Sequence, residues 1–182
     1  MSGAKHAWGV TLVELLTSMS VFCIVGSLSI PTFNQLRLDT QRTAAVNDFS
    51  HALLFARSTA LTGGVPVSVC PSLDGATCAS GRNAPWQTGW IVFRNANGDE
   101  PAYRDDGEEL LAVYQGWPGG HIASNRRSYS FRPYNHAVIN GTVIFCDRRG
   151  SEHARAIIVN HAGRPRIARR DSSNRLLNCQ GA

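Results

Sequence analysis

The residues best suited to chemistry form a cluster of arginines near the C-terminus. Arg164 and Arg166 flank Pro165, and Arg169 and Arg170 follow closely. In an extended chain, side chains at i and i+2 point the same way and lie about 6.6 Å apart. That separation is roughly two 3.4 Å phosphate steps along one nucleic-acid strand. Because a guanidinium binds phosphate oxygens through paired N–H donors, the pattern predicts a surface that binds a phosphate backbone with little sequence preference and strong salt dependence.

The distribution of charge supports a basic binding surface in the last third of the chain. Residues 1–120 hold seven Lys/Arg against ten Asp/Glu, whereas residues 121–182 hold eleven Arg against three acids, net charges of −3 and +8. Arg148 and Arg149 add to this basic third and are predicted to support the phosphate contacts. Such asymmetry favours an acidic partner such as nucleic acid or anionic lipid. The alternative is that the arginines form a solvated face that only keeps the domain soluble.

Catalysis has little support in the residue patterns. The chain lacks a G-x-S-x-G elbow, an H-E-x-x-H zinc motif and a phosphate-binding loop, and its six histidines are scattered. The sequence therefore predicts a protein that is not an enzyme and that needs no cofactor or metal.

The cysteines predict two disulfides, Cys70–Cys78 and Cys146–Cys179. The first pair flanks a loop rich in Gly, Ser and Asp, and the second pair encloses most of the basic stretch. Disulfides persist in oxidising compartments, which places the domain outside the cytoplasm. Zinc is the competing interpretation, but neither C-x-x-C nor a nearby histidine spacing supports it. Cys23 lies in an apolar segment and has no obvious partner.

Two helical segments precede the basic region. Residues 10–30 form an apolar run of 21 residues in which Glu14 is the only charge, and about 20 apolar residues are enough to span a bilayer as a helix. We therefore predict a transmembrane helix at 10–30. Beyond Pro31, apolar residues recur at spacings of three and four, at Val46, Phe49, Leu53, Ala56 and Ala60, until Gly63 and Gly64 end the pattern. This predicts an amphipathic continuation over 31–62 within one long helix.

After Gly64 the apolar period changes from about 3.6 to two. Val65, Val67 and Val69 alternate with other residues, and short apolar runs follow at 90–93, 110–114, 129–131, 142–145 and 156–159. Turn signals such as Asn97-Gly98 separate them. The sequence thus predicts an α+β fold, in which the amphipathic half of the helix packs on an antiparallel, disulfide-stapled β domain at 65–182.

The start of the apolar run resembles the prepilin motif of type IV pilins and type II secretion pseudopilins. The residues that carry this resemblance are Gly9-Val10-Thr11-Leu12-Val13-Glu14-Leu15-Leu16. The resemblance implies a leader peptide at 1–9, cleavage by a prepilin peptidase between Gly9 and Val10, and methylation of Val10. It also implies that Glu14 neutralises the N-terminal amine of a neighbouring subunit. Val10 departs from the phenylalanine usual there, and an ordinary signal peptide cut after Ser29 is the alternative.

The β region resembles the FimT/GspH branch of minor pilins. The residues involved are Trp86-x-x-Gly89-Trp90, the segments 142–146 and 156–160, Gly163-Arg164-Pro165-Arg166, and Cys179. The segment Gly163-Arg164-Pro165-Arg166 matches a G-R-x-R motif through which FimT-type pilins are thought to bind DNA during natural transformation. The resemblance implies a single-pass protein of the inner membrane with a periplasmic β domain that later joins a pilus.

The partners that this resemblance implies are other pilins or pseudopilins, prepilin peptidase, the inner membrane and DNA. A structural alternative remains open: a GspH-like pseudopilin of a type II secretion system, or a pilus-priming subunit, with protein partners only. A third possibility is adhesion to anionic surfaces.

Overall fold

The computed structural model describes residues 9–81, 84–134, 140–171 and 173–179, without the side chains of residues 28–32. The chain divides into two compact units, Met1–Asp39 and Thr40–Ala182. Helix α1, Leu12–Gly63, belongs to both units. A 3-10 turn, Trp86–Thr88, precedes the second strand. The strands are β1 Val67–Pro71, β2 Gly89–Arg94, β3 Leu110–Gln115, β4 Gly120–Ser124, β5 Tyr129–Phe131, β6 Gly141–Asp147, β7 Arg155–Val159 and β8 Pro165–Ala168.

Local sequence signals account for both ends of α1. The Thr11 Oγ1 atom accepts a hydrogen bond from the backbone N–H of Glu14 at 3.2 Å, one half of the capping-box arrangement that T-x-x-E sequences favour. At the other end, Gly64 has a φ of 65°, and its N–H donates to the Ala60 carbonyl at 3.1 Å. Glycine adopts this left-handed conformation without steric cost. The prediction of one long helix, continuous through Pro31, is confirmed.

The membrane span predicted at 10–30 is not confirmed. In the part of the chain that the structure describes, no helix is both long enough and apolar enough to cross a membrane. Residues 28–30 of the predicted span belong to the segment whose side chains are not described. Residues 1–8 of the predicted leader also lie outside the described residues.

The strands form two antiparallel four-stranded sheets. Sheet A has the order β3-β2-β1-β5, and sheet B has the order β4-β6-β7-β8. The apolar stripe of α1 is buried against both sheets and centres on Phe49. The Phe49 ring packs edge-to-face on Trp86, Trp90, Tyr129 and Phe145 at centroid distances of 5.0–6.2 Å. Helix and sheets thus share one core, which confirms the predicted α+β fold.

Both predicted disulfides are present and cover the outer faces of the sheets. Cys70–Cys78 lies beside the outer face of sheet A, and Cys146–Cys179 beside that of sheet B. The second bridge holds the C-terminal segment so that Leu177, 1% exposed, packs against sheet B. Cys23 is exposed and is a free thiol.

Candidate nucleic-acid interface

Strand β8 forms one edge of sheet B and follows a tight turn after β7. Asn160 holds this turn together. Its Oδ1 atom accepts a hydrogen bond from the Arg164 N–H at 2.9 Å, and its carbonyl accepts one from the Gly163 N–H at 2.8 Å. Gly163 has a φ of 69°, a conformation that favours glycine. Arg164 is therefore placed at the end of the turn, directly before Pro165 begins the edge strand.

The register of β8 separates the roles of its residues. Arg166 pairs with Ile158 and Ala168 with Ala156, both of which belong to the outer-face cluster of sheet B. Because side chains alternate along a strand, Arg166 lies on that outer face and Ile167 on the opposite one. Ile167 is nonetheless 52% exposed because it lies at the edge of the sheet.

Four arginines follow this edge, and all of them are exposed: Arg164, Arg166, Arg169 and Arg170. The five residue steps from Arg164 to Arg169 span at most about 17 Å, the length of a fully extended chain. Arg166, Arg169 and Arg170 also line one open surface depression of about 440 Å³. We call these four residues the arginine edge. It is the arrangement that the i, i+2 spacing predicted, although the last two residues lie beyond the end of the strand.

The arginine edge retains its positive charge. Among the described residues, the side chains of Arg164, Arg166 and Arg169 have no hydrogen-bond or ion-pair partner, and Arg170 donates only to the Asn174 carbonyl, at 3.0 Å. Asp171 is the adjacent acid, but its Oδ2 atom binds the Arg175 Nε atom at 2.9 Å.

Asp171 is also fixed by backbone donors. The Arg175 N–H donates to its Oδ1 atom at 2.8 Å, and so does the Ser173 N–H. Chiefly through the backbone hydrogen bond from Arg175, these contacts hold the pKa of Asp171 below its usual range. Asp171 therefore stays charged, and its carboxylate is bound by Arg175 and not by a residue of the arginine edge.

Arg148 lies near one end of the arginine edge. It follows β6 in the turn to β7, is exposed, and has no ion-pair partner among the described residues. Phe145 pairs with Arg155, and Ala156 pairs with Ala168. This register brings the residues after β6 and the residues after β8 to the same end of sheet B. Arg148 can thus extend the positive surface beyond Arg169.

Arg149 is largely buried, unlike the exposed Arg148 that precedes it. Its side chain is 9% exposed, and its Nη2 atom lies 2.7 Å from the Oδ2 atom of Asp147, whose side chain is fully buried. The Arg149 backbone N–H donates to the same carboxylate at 2.9 Å. On the other side, Arg42 of α1 places Nη1 3.4 Å from Oδ2. Although Arg149 was predicted to support phosphate binding, its guanidinium faces Asp147, so it does not belong to the exposed surface.

The pKa of Asp147 reflects these opposing influences. Burial acts to raise it, but the hydrogen bonds from the Arg149 side chain and backbone, with the charges of Arg149 and Arg42, outweigh burial and lower it. The carboxylate is therefore ionised inside the domain. It connects α1 to the end of β6, a role that no sequence motif signalled.

Sequence reasoning also missed Arg127. It is exposed in the connection between β4 and β5 and has no ion-pair partner in the described ranges. Ser124 pairs with Val143, and Gly141 pairs with Val159, so this connection lies at the same end of sheet B as the turn that carries Arg164. Only the order of the strands reveals this, because 37 positions separate the two arginines in the sequence.

The residues predicted to take part in processing and assembly lie in the first unit. Gly9 and Val10 are exposed before α1, and Glu14 is exposed in its first turn. Cleavage at Gly9, methylation of Val10 and pairing of Glu14 with a neighbouring subunit stay predictions.

Comparisons with known proteins agree with this architecture. A family model described as type II transport protein GspH matches residues 45–163, well over half of the chain. No curated protein sequence matches the chain at a significant level. The chain therefore belongs to the GspH family and is a pilin-like minor pilin or pseudopilin of the GspH/FimT type.

Two solved structures of a minor pilin show the same fold. The chain is similar to the type IV minor pilin FimU of Pseudomonas aeruginosa in space group P65, with 17% identity and a TM-score of 0.53 over 75% of this chain and 98% of that one. FimU in space group P21 gives 19% identity and a TM-score of 0.53 over 77% and 96%. The minor pseudopilin EpsH from the type 2 secretion system of Vibrio cholerae gives 9% identity and a TM-score of 0.48 over 70% and 96%.

Proposed function

We propose that this protein is a minor pilin of a type IV pilus that binds extracellular DNA, without sequence preference, for natural transformation. The arginine edge makes the contacts to backbone phosphates, and Arg148 supports them. The chain acts by binding alone and is not an enzyme. Force for uptake comes from the machine into which the subunit is built.

The observation that carries this proposal is the uncompensated charge of the arginine edge. Arg164, Arg166 and Arg169 lie exposed along at most about 17 Å of chain and have no acidic partner among the described residues. A row of guanidinium groups along an extended segment suits a row of phosphates, because each can donate two hydrogen bonds to phosphate oxygens. Since these contacts touch no base edge, they predict affinity without sequence preference.

The free edge of β8 is poorly suited to pairing with a further β-strand. The Asn160 N–H donates to the Arg164 carbonyl across the turn at 3.3 Å, and hydrogen-bonded and non-hydrogen-bonded pairs alternate along the two strands from there. Pro165 is thus at a position where the backbone nitrogen points away from β7, towards the free edge of the sheet. Because proline has no N–H, strand addition at this edge loses a donor. The edge is left open to a ligand that binds side chains.

The N-terminal region completes the proposal. A prepilin peptidase removes residues 1–9, Val10 becomes the methylated N-terminus, and residues 10–30 hold the protein in the inner membrane before assembly. Glu14 then pairs with the N-terminal amine of a neighbouring pilin, since a carboxylate inside a filament needs a cationic partner. The β domain is periplasmic, where its two disulfides form.

A second candidate is a structural pseudopilin of a type II secretion system with protein partners only. The match to the type II transport protein GspH model favours it. In that case the arginine edge contacts acidic residues of other subunits, or water alone.

An experiment in the native host separates the two candidates. We expect the Arg164→Gln/Arg166→Gln variant to be processed and incorporated into filaments like the wild type, while DNA capture at the cell surface is lost. The readouts are immunoblots of sheared filaments and retention of labelled DNA. Loss of assembly or secretion with unchanged DNA retention supports the structural pseudopilin.

The matched control removes the same charge from helix α1. Arg37→Gln/Arg57→Gln changes two arginines outside the β domain strands. We expect this variant to retain DNA like the wild type. If both double variants lose DNA to the same extent, net charge alone explains capture, and the arginine edge is not a site.

A further inference from the structure

A second concave site lies on the Thr40–Ala182 unit, away from β8. It is a cavity of about 240 Å³ between α1 and the connection from β3 to β4. Gln41 and Asp48 line it from the helix. Gln115 lines it from the end of β3, and Trp117 and Gly119 line it from the connection. None of the predicted site residues is among them.

The wall formed by the connection is held in one conformation. The backbone N–H of Trp117 donates a hydrogen bond to the Gln87 carbonyl at 2.8 Å. A Cβ atom added to Gly116 would overlap that same carbonyl, and one added to Gly120 would overlap the carbonyl of Cys146. Both glycines are thus required by close backbone approach. The cavity wall is therefore preformed, as binding sites commonly are.

The indole of Trp117 offers an unused donor at this wall. The side chain is 6% exposed, and its buried Nε1 atom has no hydrogen-bond partner among the described residues. A Cβ atom on Gly119 would lie 2.7 Å from Nε1 and 3.4 Å from the Gln41 Oε1 atom, so Gly119 and Gln41 both lie close to the indole N–H. Gln41 is exposed, and its side chain can turn aside to admit an acceptor. Because a buried N–H without a partner is costly, an entering acceptor stabilises the site.

Asp48 supplies the only charge among the lining residues. It is exposed on α1 and has no ion-pair partner among the described residues. Burial, and then the charge of Asp48, raise the pKa of the Tyr114 hydroxyl, as expected when a carboxylate lies nearby. The amide oxygens of Gln41 and Gln115 are further acceptors. The cavity thus combines a negative group and acceptors with a single buried donor.

We propose that this cavity binds an arginine or lysine residue of another protein subunit. The cation contacts the Asp48 carboxylate, and the main-chain carbonyl of the same residue accepts a hydrogen bond from the Trp117 indole N–H. Charge complementarity selects the occupant, because an acidic residue would meet Asp48 and an apolar one would leave its charge and the indole unpaired. The site is independent of DNA binding, so either proposal can fail without the other.

The test is an NMR titration of the full chain in detergent micelles with N-acetyl-arginine methylamide. This probe carries both a guanidinium and main-chain carbonyls. We expect a saturable downfield shift of the Trp117 indole N–H signal, assigned by its absence in Trp117→Phe. We expect affinity to fall about tenfold in Asp48→Asn, because a charge-assisted hydrogen bond is lost.

Two matched controls make the result specific. N-acetyl-glutamine methylamide lacks the charge, and we expect no saturable shift of the Trp117 signal with it. Asp106→Asn removes one exposed carboxylate outside the cavity, and we expect wild-type affinity. An unmoved Trp117 signal, an equal shift with the neutral probe, or unchanged affinity in Asp48→Asn overturns the proposal.

Discussion

The arginine edge and the Arg42–Asp147–Arg149 group use the same side chain in opposite ways. In the buried group, two guanidinium groups share one carboxylate and connect α1 to β6, whereas Arg164 and Arg166 lie exposed without an acid. A buried charge must be paired to be tolerated, but an exposed one keeps its hydration and remains free for a ligand. Environment, and not residue type, therefore decides which arginines stabilise the domain and which bind.

The largest expected effect comes from removing the shared carboxylate. Asp147→Asn removes the charge of the buried carboxylate that both Arg42 and Arg149 contact, so we expect the free energy of unfolding to fall by about 3–5 kcal/mol. Chemical denaturation monitored by tryptophan fluorescence measures this. A loss below about 0.5 kcal/mol, the size of an ordinary surface substitution, would mean that the group contributes no structural connection.

The disulfides extend the comparison to the two covered sheet faces. Cys146 and Cys179 are 33 positions apart, and Cys70 and Cys78 are eight apart. Loop-closure entropy assigns about 3.7 kcal/mol to the Cys146–Cys179 bridge and about 2.5 kcal/mol to the Cys70–Cys78 bridge. We therefore expect Cys146→Ser/Cys179→Ser to lower stability more than Cys70→Ser/Cys78→Ser in parallel denaturation experiments. The reverse order would show that the C-terminal segment is held mainly by the packing of Leu177.

Acid should weaken the buried group selectively. The pKa of Asp147 is lower in the folded protein than its ordinary value of 3.8, so the unfolded chain takes up its proton first as pH falls. The contribution of Asp147 is complete above that ordinary value and is lost as pH falls below it. We expect Asp147→Asn to flatten the decrease in stability over this acid range in pH-dependent denaturation. An equally steep decrease would assign acid sensitivity to other carboxylates.

Arg148 and Arg149 give the sharpest matched pair, because they are adjacent in sequence and differ in environment. We expect Arg149→Gln to lower stability by about 1–3 kcal/mol, since a charged hydrogen-bond partner is lost, and to leave the salt dependence of DNA binding unchanged. We expect Arg148→Gln to leave stability within about 0.5 kcal/mol and to reduce the salt slope by about one unit. Equal behaviour of the two variants would remove the distinction between buried and exposed arginines.

The sequence carried enough information for the helix, the disulfides and most strands, because each has a local signal. The stripe around Phe49 has helical spacing, and Gly63-Gly64 marks its end. Strand β4 was missed because its short segment, which begins at Gly120, lacks alternating apolar residues. Strand β8 was anticipated only as an extended segment around Pro165 and Arg166.

The candidate site was predicted only in part, for a physical reason. Spacing alone placed Arg164 and Arg166 together because both lie in one extended segment. The difference between Arg148 and Arg149 depends on Asp147 and on Arg42, 105 positions from that acid, and only folding brings these residues together. Arg127 and Trp117 were missed for the same reason, since strand order and close packing define their surroundings.

The measurement that tests the central claim most directly is the salt dependence of DNA affinity. Fluorescence anisotropy with a short labelled duplex is recorded for the wild-type chain, Arg164→Gln/Arg166→Gln and the Arg37→Gln/Arg57→Gln control. We predict that the plot of log affinity against log salt becomes shallower by about two units in the first variant and keeps its slope in the control. An unchanged slope in the first variant, or no binding by folded wild-type protein at low salt, would contradict the arginine edge as a DNA-binding site.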